Sequence, residues 1–184
     1  MKLTLLSALL LLSGLSSACR APAPPPSRPQ PTLAPATCGS IQKLHALGDV
    51  WFASQPAAED FALAQAQGVK SVLNLRTASE QPGFDEQAHA DALGLKYLSL
   101  PIGGPSDLTD EVFQRARSML NAAPRPLLVH CASANRVGAV YVPWRVLDGG
   151  VTLEQALNEA HEIGLKSPEL EAKAREYVLR SQKK

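Results

Sequence analysis

A cysteine and an arginine that could act on the same oxyanion lie within residues 130–136, which read His-Cys-Ala-Ser-Ala-Asn-Arg. A thiolate is the reactive form of cysteine, and nearby positive charge stabilises it. The residues between Cys131 and Arg136 are small, so successive backbone N–H groups can turn inward and bind an anion. Arg136 adds a planar fork that matches two oxygens of a tetrahedral oxyanion. The predicted oxyanion-binding residues are therefore Ala132, Ser133, Ala134, Asn135 and Arg136.

The elements on either side of this loop place it where active sites form. Residues 127–129 are Leu-Leu-Val, a continuous apolar run typical of a strand buried on both faces. A helix is predicted to begin near Arg136, and its N-terminus carries partial positive charge. Sites in parallel sheets lie at the carboxyl ends of strands, so this arrangement favours a nucleophilic thiolate at Cys131. The alternative is a buried structural thiol with a solvated Arg136, and His130 is predicted only to support the loop.

The remaining sequence alternates short β-like runs with helical patterns, which indicates βαβ units. We predict an α/β fold with a central, mostly parallel sheet of four to five strands flanked by helices. The predicted strands are 50–53, 70–75, 96–100 and 126–130, and the predicted helices are 57–67, 85–93, 109–121, 136–147, 152–163 and 168–179.

The N-terminal segment predicts export. An apolar run of roughly 13 residues is too short to span a bilayer and is typical of a signal peptide, here residues 1–18. Small residues before Cys19 resemble a bacterial lipoprotein signal with Cys19 as the lipidated residue; the alternative is ordinary cleavage after Ala18. Residues 19–37 are rich in proline and predict an extended tether, and residues 38–184 form the predicted domain. We expect a periplasmic or cell-envelope lipoprotein that contacts the membrane through its lipid anchor, or otherwise a secreted protein.

Composition excludes several classes of function. Lysine plus arginine (18) nearly balance aspartate plus glutamate (17), so nothing indicates a nucleic-acid partner. The three cysteines and four histidines are scattered without metal-ligand spacing. We therefore expect neither a metal nor a cofactor, and a small phosphorylated or oxyanionic compound as the substrate. The oligomeric state cannot be read from the sequence.

Residues 128–138 resemble the loop of bacterial proteins related to dual-specificity and tyrosine phosphatases, which include the phosphatase-like domain of beta-lactamase hydrolase-like proteins. The resemblance extends to residues 53–56, 69–76 and 100–102 and covers roughly residues 48–150. It implies a cysteine-dependent phosphatase fold. It also implies that an aspartate in the loop after the preceding strand donates a proton to the leaving group.

In this loop Asp107 is the predicted general acid, and its alternative role is the N-cap of the helix that follows. Asp110 is predicted to lie in the first turn of that helix. Arg76 follows the predicted strand 70–75 and could support the site, or it could simply lie on the surface.

Two features depart from the family pattern. Cysteine-dependent phosphatases place five residues between cysteine and arginine, whereas this chain has four, the length found in rhodanese-type sulfurtransferases. The residue after the arginine is usually serine or threonine and is Val137 here. Ala134 also replaces the usual loop glycine, so a positive φ at this position would be strained.

Three functions follow from these observations. The leading prediction is a hydrolase of phosphate monoesters that forms a phosphocysteine at Cys131, with Arg136 binding the oxyanion and Asp107 as the acid. One alternative is a rhodanese-like sulfurtransferase. The other is a catalytically inactive domain, a pseudophosphatase, that binds oxyanions.

Overall fold

The computed structural model describes residues 31–80 and 83–183. The predicted signal peptide, Cys19 and the tether up to residue 30 lie outside these ranges. The strands are β1 (Leu33–Pro35), β2 (Leu44–Leu47), β3 (Val50–Ala53), β4 (Ser71–Asn74), β5 (Lys96–Ser99) and β6 (Leu127–His130). The helices are α1 (Ala58–Ala66), α2 (Glu86–Ala92), α3 (Asp110–Ala122), α4 (Asn135–Leu147), α5 (Leu153–Ile163) and α6 (Pro168–Ser181).

The strands form one sheet in the order β1-β2-β3-β6-β4-β5. Strands β3, β6, β4 and β5 run parallel, whereas β1 and β2 pair antiparallel at one edge. The predicted α/β class with a mostly parallel sheet is confirmed. Both ends of each predicted strand and helix lie within two residues of the observed ends.

The sheet has six strands rather than four to five. The sequence did not indicate β1, because it ends in a proline and lies in the segment predicted as a tether, and proline is tolerated at a sheet edge. Strand β2 reads Leu-His-Ala-Leu, which lacks the β-branched residues that favour strands. Residues 33–35 of the predicted tether therefore belong to the sheet.

Strand β6 divides its side chains between two cores. Leu127 and Val129 face the larger core, which the sheet forms with α3, α4, α5 and α6. Leu128 faces the smaller core, which includes Phe61 of α1 and Ala90 of α2. All four residues of β6 are buried, so the prediction of a strand buried on both faces is confirmed. Within the described residues, no helix combines the length and apolar character needed to cross a membrane.

A buried ion pair joins α4 to α5. Arg145 is 2% exposed, and its Nε donates to Glu159 Oε2 at 2.9 Å. The hydroxyl of Tyr141 donates to the same oxygen. Because the ion pair is buried, removing one partner would leave the other charge without compensation.

Replacing Glu159 with alanine should lower the free energy of unfolding by about 3 kcal/mol, because Arg145 would remain buried and unpaired. Urea denaturation followed by circular dichroism measures this. Glu176→Ala is the matched control, since the pair between Glu176 and Arg180 is exposed and its loss should change the free energy of unfolding far less. An equal loss of unfolding free energy in the two variants would contradict a buried ion pair between Arg145 and Glu159.

Candidate active site

Cys131 lies at the carboxyl edge of the sheet, directly after β6. The N–H of Leu75, which follows the neighbouring strand β4, donates to the carbonyl of His130 at 2.9 Å. Cys131 is fully buried, whereas the next two loop residues, Ala132 and Ser133, are exposed. Cys131 is thus buried, while the loop that follows it begins at the surface.

The loop enters α4 through one left-handed residue. Ala134 has a φ of 67° and is the N-cap of α4, a conformation that is strained for a residue with a Cβ. The carbonyl of Ala132 accepts from the N–H of Gln55 at 3.3 Å. The carbonyl of Ser133 accepts from Lys43 Nζ at 3.2 Å. Because these carbonyls are bonded outside the loop, the opposite side is left to the N–H groups that can bind an anion.

The connection between α5 and α6 packs against the same loop. Asn135 Oδ1 accepts from the N–H groups of Lys166 and Ser167 at 2.9 and 3.2 Å. Gly164 approaches so closely that a Cβ there would lie 3.0 Å from the Cβ of Ala134. The side-chain oxygen of Asn135 therefore fixes the loop to this connection.

The guanidinium of Arg136 is shared between a carboxylate and the predicted oxyanion site. Nη1 donates to Glu80 Oε2 and to the carbonyl of Ile102, both at 2.7 Å, and Nη2 donates to Glu80 Oε1 at 2.6 Å. These bonds use three of the five N–H donors of the guanidinium and leave those of Nε and one of Nη2 for another acceptor. The bonds to Glu80 are the main cause that raises the pKa of Arg136; burial opposes them, and the proximity of Cys131 adds to the rise.

Sequence reasoning missed Glu80. Its carboxylate also accepts from the N–H and the hydroxyl of Thr77, both at 3.0 Å. The hydrogen bonds from Arg136 are the main cause that lowers the pKa of Glu80 to about 2, so the carboxylate is charged at neutral pH. The Thr-x-x-Glu spacing after β4 is a capping-box pattern, and this pattern is the sequence signal that could have pointed to Glu80.

Arg76, which the sequence predicts as a support residue, acts on the loop indirectly. It is 7% exposed, and its Nη1 donates to the side-chain oxygen of Gln55. The backbone N–H of Gln55 in turn donates to the carbonyl of Ala132. Arg76 is therefore a buried residue linked to the loop through Gln55, and the surface alternative is wrong.

His130 lies against a buried carboxylate. Its Nε2 is 2.9 Å from Glu86 Oε1, and Glu86 also accepts from Gln55 Nε2 at 2.8 Å and from the Tyr97 hydroxyl at 3.0 Å. Burial raises the pKa of Glu86, but His130 and these two donors outweigh it, so the net shift is downward. The contact with Glu86 gives His130 a structural role at the end of β6.

Asp107, the predicted acid, lies in a short 3-10 turn after β5, over residues Pro105–Asp107. It is exposed, and its Oδ2 accepts from the N–H of Gly103 at 2.6 Å. It does not cap α3, because the Thr109 side chain accepts from the N–H at position 112 and takes that role. Asp110 is the first residue of α3, as predicted.

Comparison with known proteins identifies the family. A model of the phosphatase-like domain of beta-lactamase hydrolase-like proteins matches residues 46–147. The chain belongs to this family. The beta-lactamase hydrolase-like protein of Agrobacterium fabrum is 33% identical over 103 residues, which are 54% of this chain and 24% of that protein. This phosphatase-like chain thus spans about a quarter of the length of the curated relative.

Solved structures share the fold of this phosphatase-like domain. The active form of Tk-PTP aligns with a TM-score of 0.58 and 22% identity over 72% of this chain and 93% of that chain. TpbA of P. aeruginosa aligns with a TM-score of 0.57 and 23% identity over 79% of this chain and 88% of that chain. The predicted tyrosine-phosphatase-like fold is confirmed, while the roles of individual site residues stay predictions.

Replacing Ala134 with glycine should raise the free energy of unfolding by about 1 kcal/mol, because glycine adopts a positive φ without the penalty that a Cβ imposes. Ala132→Gly is the control. Ala132 lacks a positive φ, so glycine there should only increase the freedom of the unfolded chain and destabilise by up to about 1 kcal/mol. Urea denaturation of both variants tests this, and destabilisation by both would contradict the strain at Ala134.

The contribution of Glu80 to stability should depend on pH in a defined window. Its pKa is about 2 in the folded chain against an ordinary 4.5, so its contribution is complete above about pH 4.5 and is lost as the pH falls through 2. The difference in unfolding free energy between the wild type and Glu80→Gln should therefore shrink between these values. A difference that stays constant down to pH 2.5 would show that the ion pair with Arg136 is absent in solution.

Proposed function

We propose that this domain hydrolyses phosphate monoesters by covalent catalysis at Cys131. The observation that carries the proposal is the placement of Cys131 directly after β6 and of Arg136 in the first turn of α4, with one edge of its guanidinium not bonded by Glu80. Anion-binding donors around a thiolate create the setting in which cysteine attacks phosphorus. The family match to a phosphatase-like domain supports the same reaction class.

In the proposed reaction, the Cys131 thiolate attacks phosphorus, and the bond from phosphorus to the leaving oxygen breaks. The remaining donors of Arg136 and the loop N–H groups stabilise the charge on the equatorial oxygens. Asp107, in its neutral form, gives a proton to the leaving alcohol. Water then attacks the phosphocysteine, its proton passes to the Asp107 carboxylate, and phosphate and the thiolate are released.

Asp107 has to leave its bond to Gly103 for this step. The turn that carries it begins after Gly103 and Gly104, whose backbone has more rotational freedom than that of other residues. A Cβ at Gly104 would meet no atom within 4 Å, whereas one at Gly103 would lie 3.0 Å from Asp107 Oδ2. The proposal therefore includes a movement of residues 103–107 that brings the carboxyl group to the leaving oxygen.

A second candidate is an oxyanion-binding domain without turnover. The buried Val137 favours it, because Val137 occupies the position where the resemblance leads one to expect a serine or threonine hydroxyl. Sulfur transfer, the other alternative, is supported by the four-residue loop alone. The family match favours phosphate chemistry over it.

Pure, reduced protein should release phosphate from 4-nitrophenyl phosphate between about pH 5 and 7, where a carboxylic acid and a thiolate can coexist in one site. Cys131→Ser should abolish release because it removes the nucleophile. Acid-quenched wild type should carry a phosphocysteine at Cys131 in peptide mass spectrometry. Binding of phosphate without release would favour the inactive alternative, and one added sulfur on Cys131 after thiosulfate treatment would favour sulfur transfer.

Asp107→Asn should lower kcat about 100-fold, because the leaving oxygen would depart without a proton. Asp110→Asn is the matched control, since Asp110 lies nearby in α3 and bonds Arg180 at the surface. Steady-state kinetics on 4-nitrophenyl phosphate separates the two variants. An equal effect of both substitutions would rule out Asp107 as the acid.

A further inference from the structure

A polar cavity of about 260 Å³ shares one wall with the candidate active site. It lies at the carboxyl ends of β4 and β5, and β4 is the direct neighbour of β6. Glu80 lines this cavity and also binds Arg136. The cavity and the guanidinium of Arg136 therefore have Glu80 as a common neighbour.

The cavity wall contains hydrogen-bonding groups that a ligand must satisfy. Arg76 is 7% exposed, and of its guanidinium nitrogens only Nη1 has a hydrogen-bond acceptor among the described residues. Asn74 and Tyr97 already bond each other at 2.8 Å, whereas Ser99 lines the cavity with a hydroxyl that bonds no described residue. An apolar ring in this space would cover these groups without bonding them, which costs free energy. Hydroxyl groups, which both donate and accept, fit such a lining.

The charge of the wall restricts the ligand further. Glu86 lies 3.9 Å from the Arg76 guanidinium, and Glu80 is paired with Arg136. Asp85 also lines the cavity, and its Oδ1 caps α2 by accepting from the N–H at position 88. No cation of the described residues pairs with Asp85, so its carboxylate would repel a second anionic group on the ligand and would accept a hydroxyl.

We propose that this cavity binds the alcohol part of the substrate, and that the substrate is a monophosphate of a sugar or similar polyol without a second anionic group. The inference rests on the proposed phosphatase function. The phosphate occupies residues 131–136, and the hydroxyls of the polyol bond Ser99, Arg76 and Asp85.

Steady-state kinetics with three probes tests the inference: glucose 6-phosphate, glucose 1,6-bisphosphate and 4-nitrophenyl phosphate. For the wild type, kcat/KM should be at least about tenfold higher for glucose 6-phosphate than for the bisphosphate, because Asp85 disfavours the second phosphate. Asp85→Asn retains the helix cap and should reduce this preference several-fold.

Ser99→Leu should lower the ratio of kcat/KM for glucose 6-phosphate to that for 4-nitrophenyl phosphate by about tenfold or more, because leucine occupies the cavity and removes a hydroxyl. Ser118→Leu, an exposed serine on α3, is the matched control and should leave the ratio unchanged. A ratio that is equal in the two variants would overturn the inference.

The outcomes also separate this inference from the proposed function. If 4-nitrophenyl phosphate is hydrolysed and glucose 6-phosphate is not, the cavity inference fails and the phosphatase function stands. If none of the probes is hydrolysed, the phosphatase function fails. NMR titration of the wild type with glucose 6-phosphate then decides whether the cavity binds a polyol. Shifts of the Ser99 and Asn74 amides that Ser99→Leu removes would support the inference, and unchanged spectra would overturn it.

Discussion

The short path from β6 to α4 constrains the rest of the site. Only four residues separate Cys131 from Arg136, and the chain makes this turn with a left-handed Ala134, a conformation that costs about 1 kcal/mol for a residue with a Cβ. The same turn puts Arg136 in the first turn of α4, from which its guanidinium interacts with both Glu80 and Cys131. The position of the cation thus follows from the length of the loop.

The N–H donors of Arg136 fall into two groups, those that bind Glu80 and those that remain for a ligand. Glu80 takes the Nη1 and Nη2 end of the guanidinium, and this fixes its plane. Since a guanidinium presents a second edge through Nε and Nη2, an oxyanion can bind beside Cys131 while the pair with Glu80 remains. The carboxylate therefore orients Arg136 and need not be displaced when a phosphate binds.

The sequence predicted the parts of the molecule that have a strong local signal. The apolar run of β6, the helix periodicities and the loop from Cys131 to Arg136 are readable because each lies in a few consecutive residues. Strand β1 and the contact between Glu80 and Arg136 depend on residues far apart in the chain, and neither has a compositional signal. The bond from Asp107 to Gly103 and the anchoring of Asn135 depend on loop conformations that local patterns do not specify.

The loop from Cys131 to Arg136 and the residues that hold it come from different parts of the chain. The family match ends at residues 46 and 147, and it contains Cys131 and Arg136. Lys43, which bonds the carbonyl of Ser133, precedes the match, and the α5–α6 connection, which binds Asn135, follows it. A strained turn is retained only where its surroundings hold it, so these flanking contacts stabilise the left-handed conformation of Ala134. The segment that defines the family thus contains Cys131 and Arg136, and the flanking segments supply part of the rigidity of the loop between them.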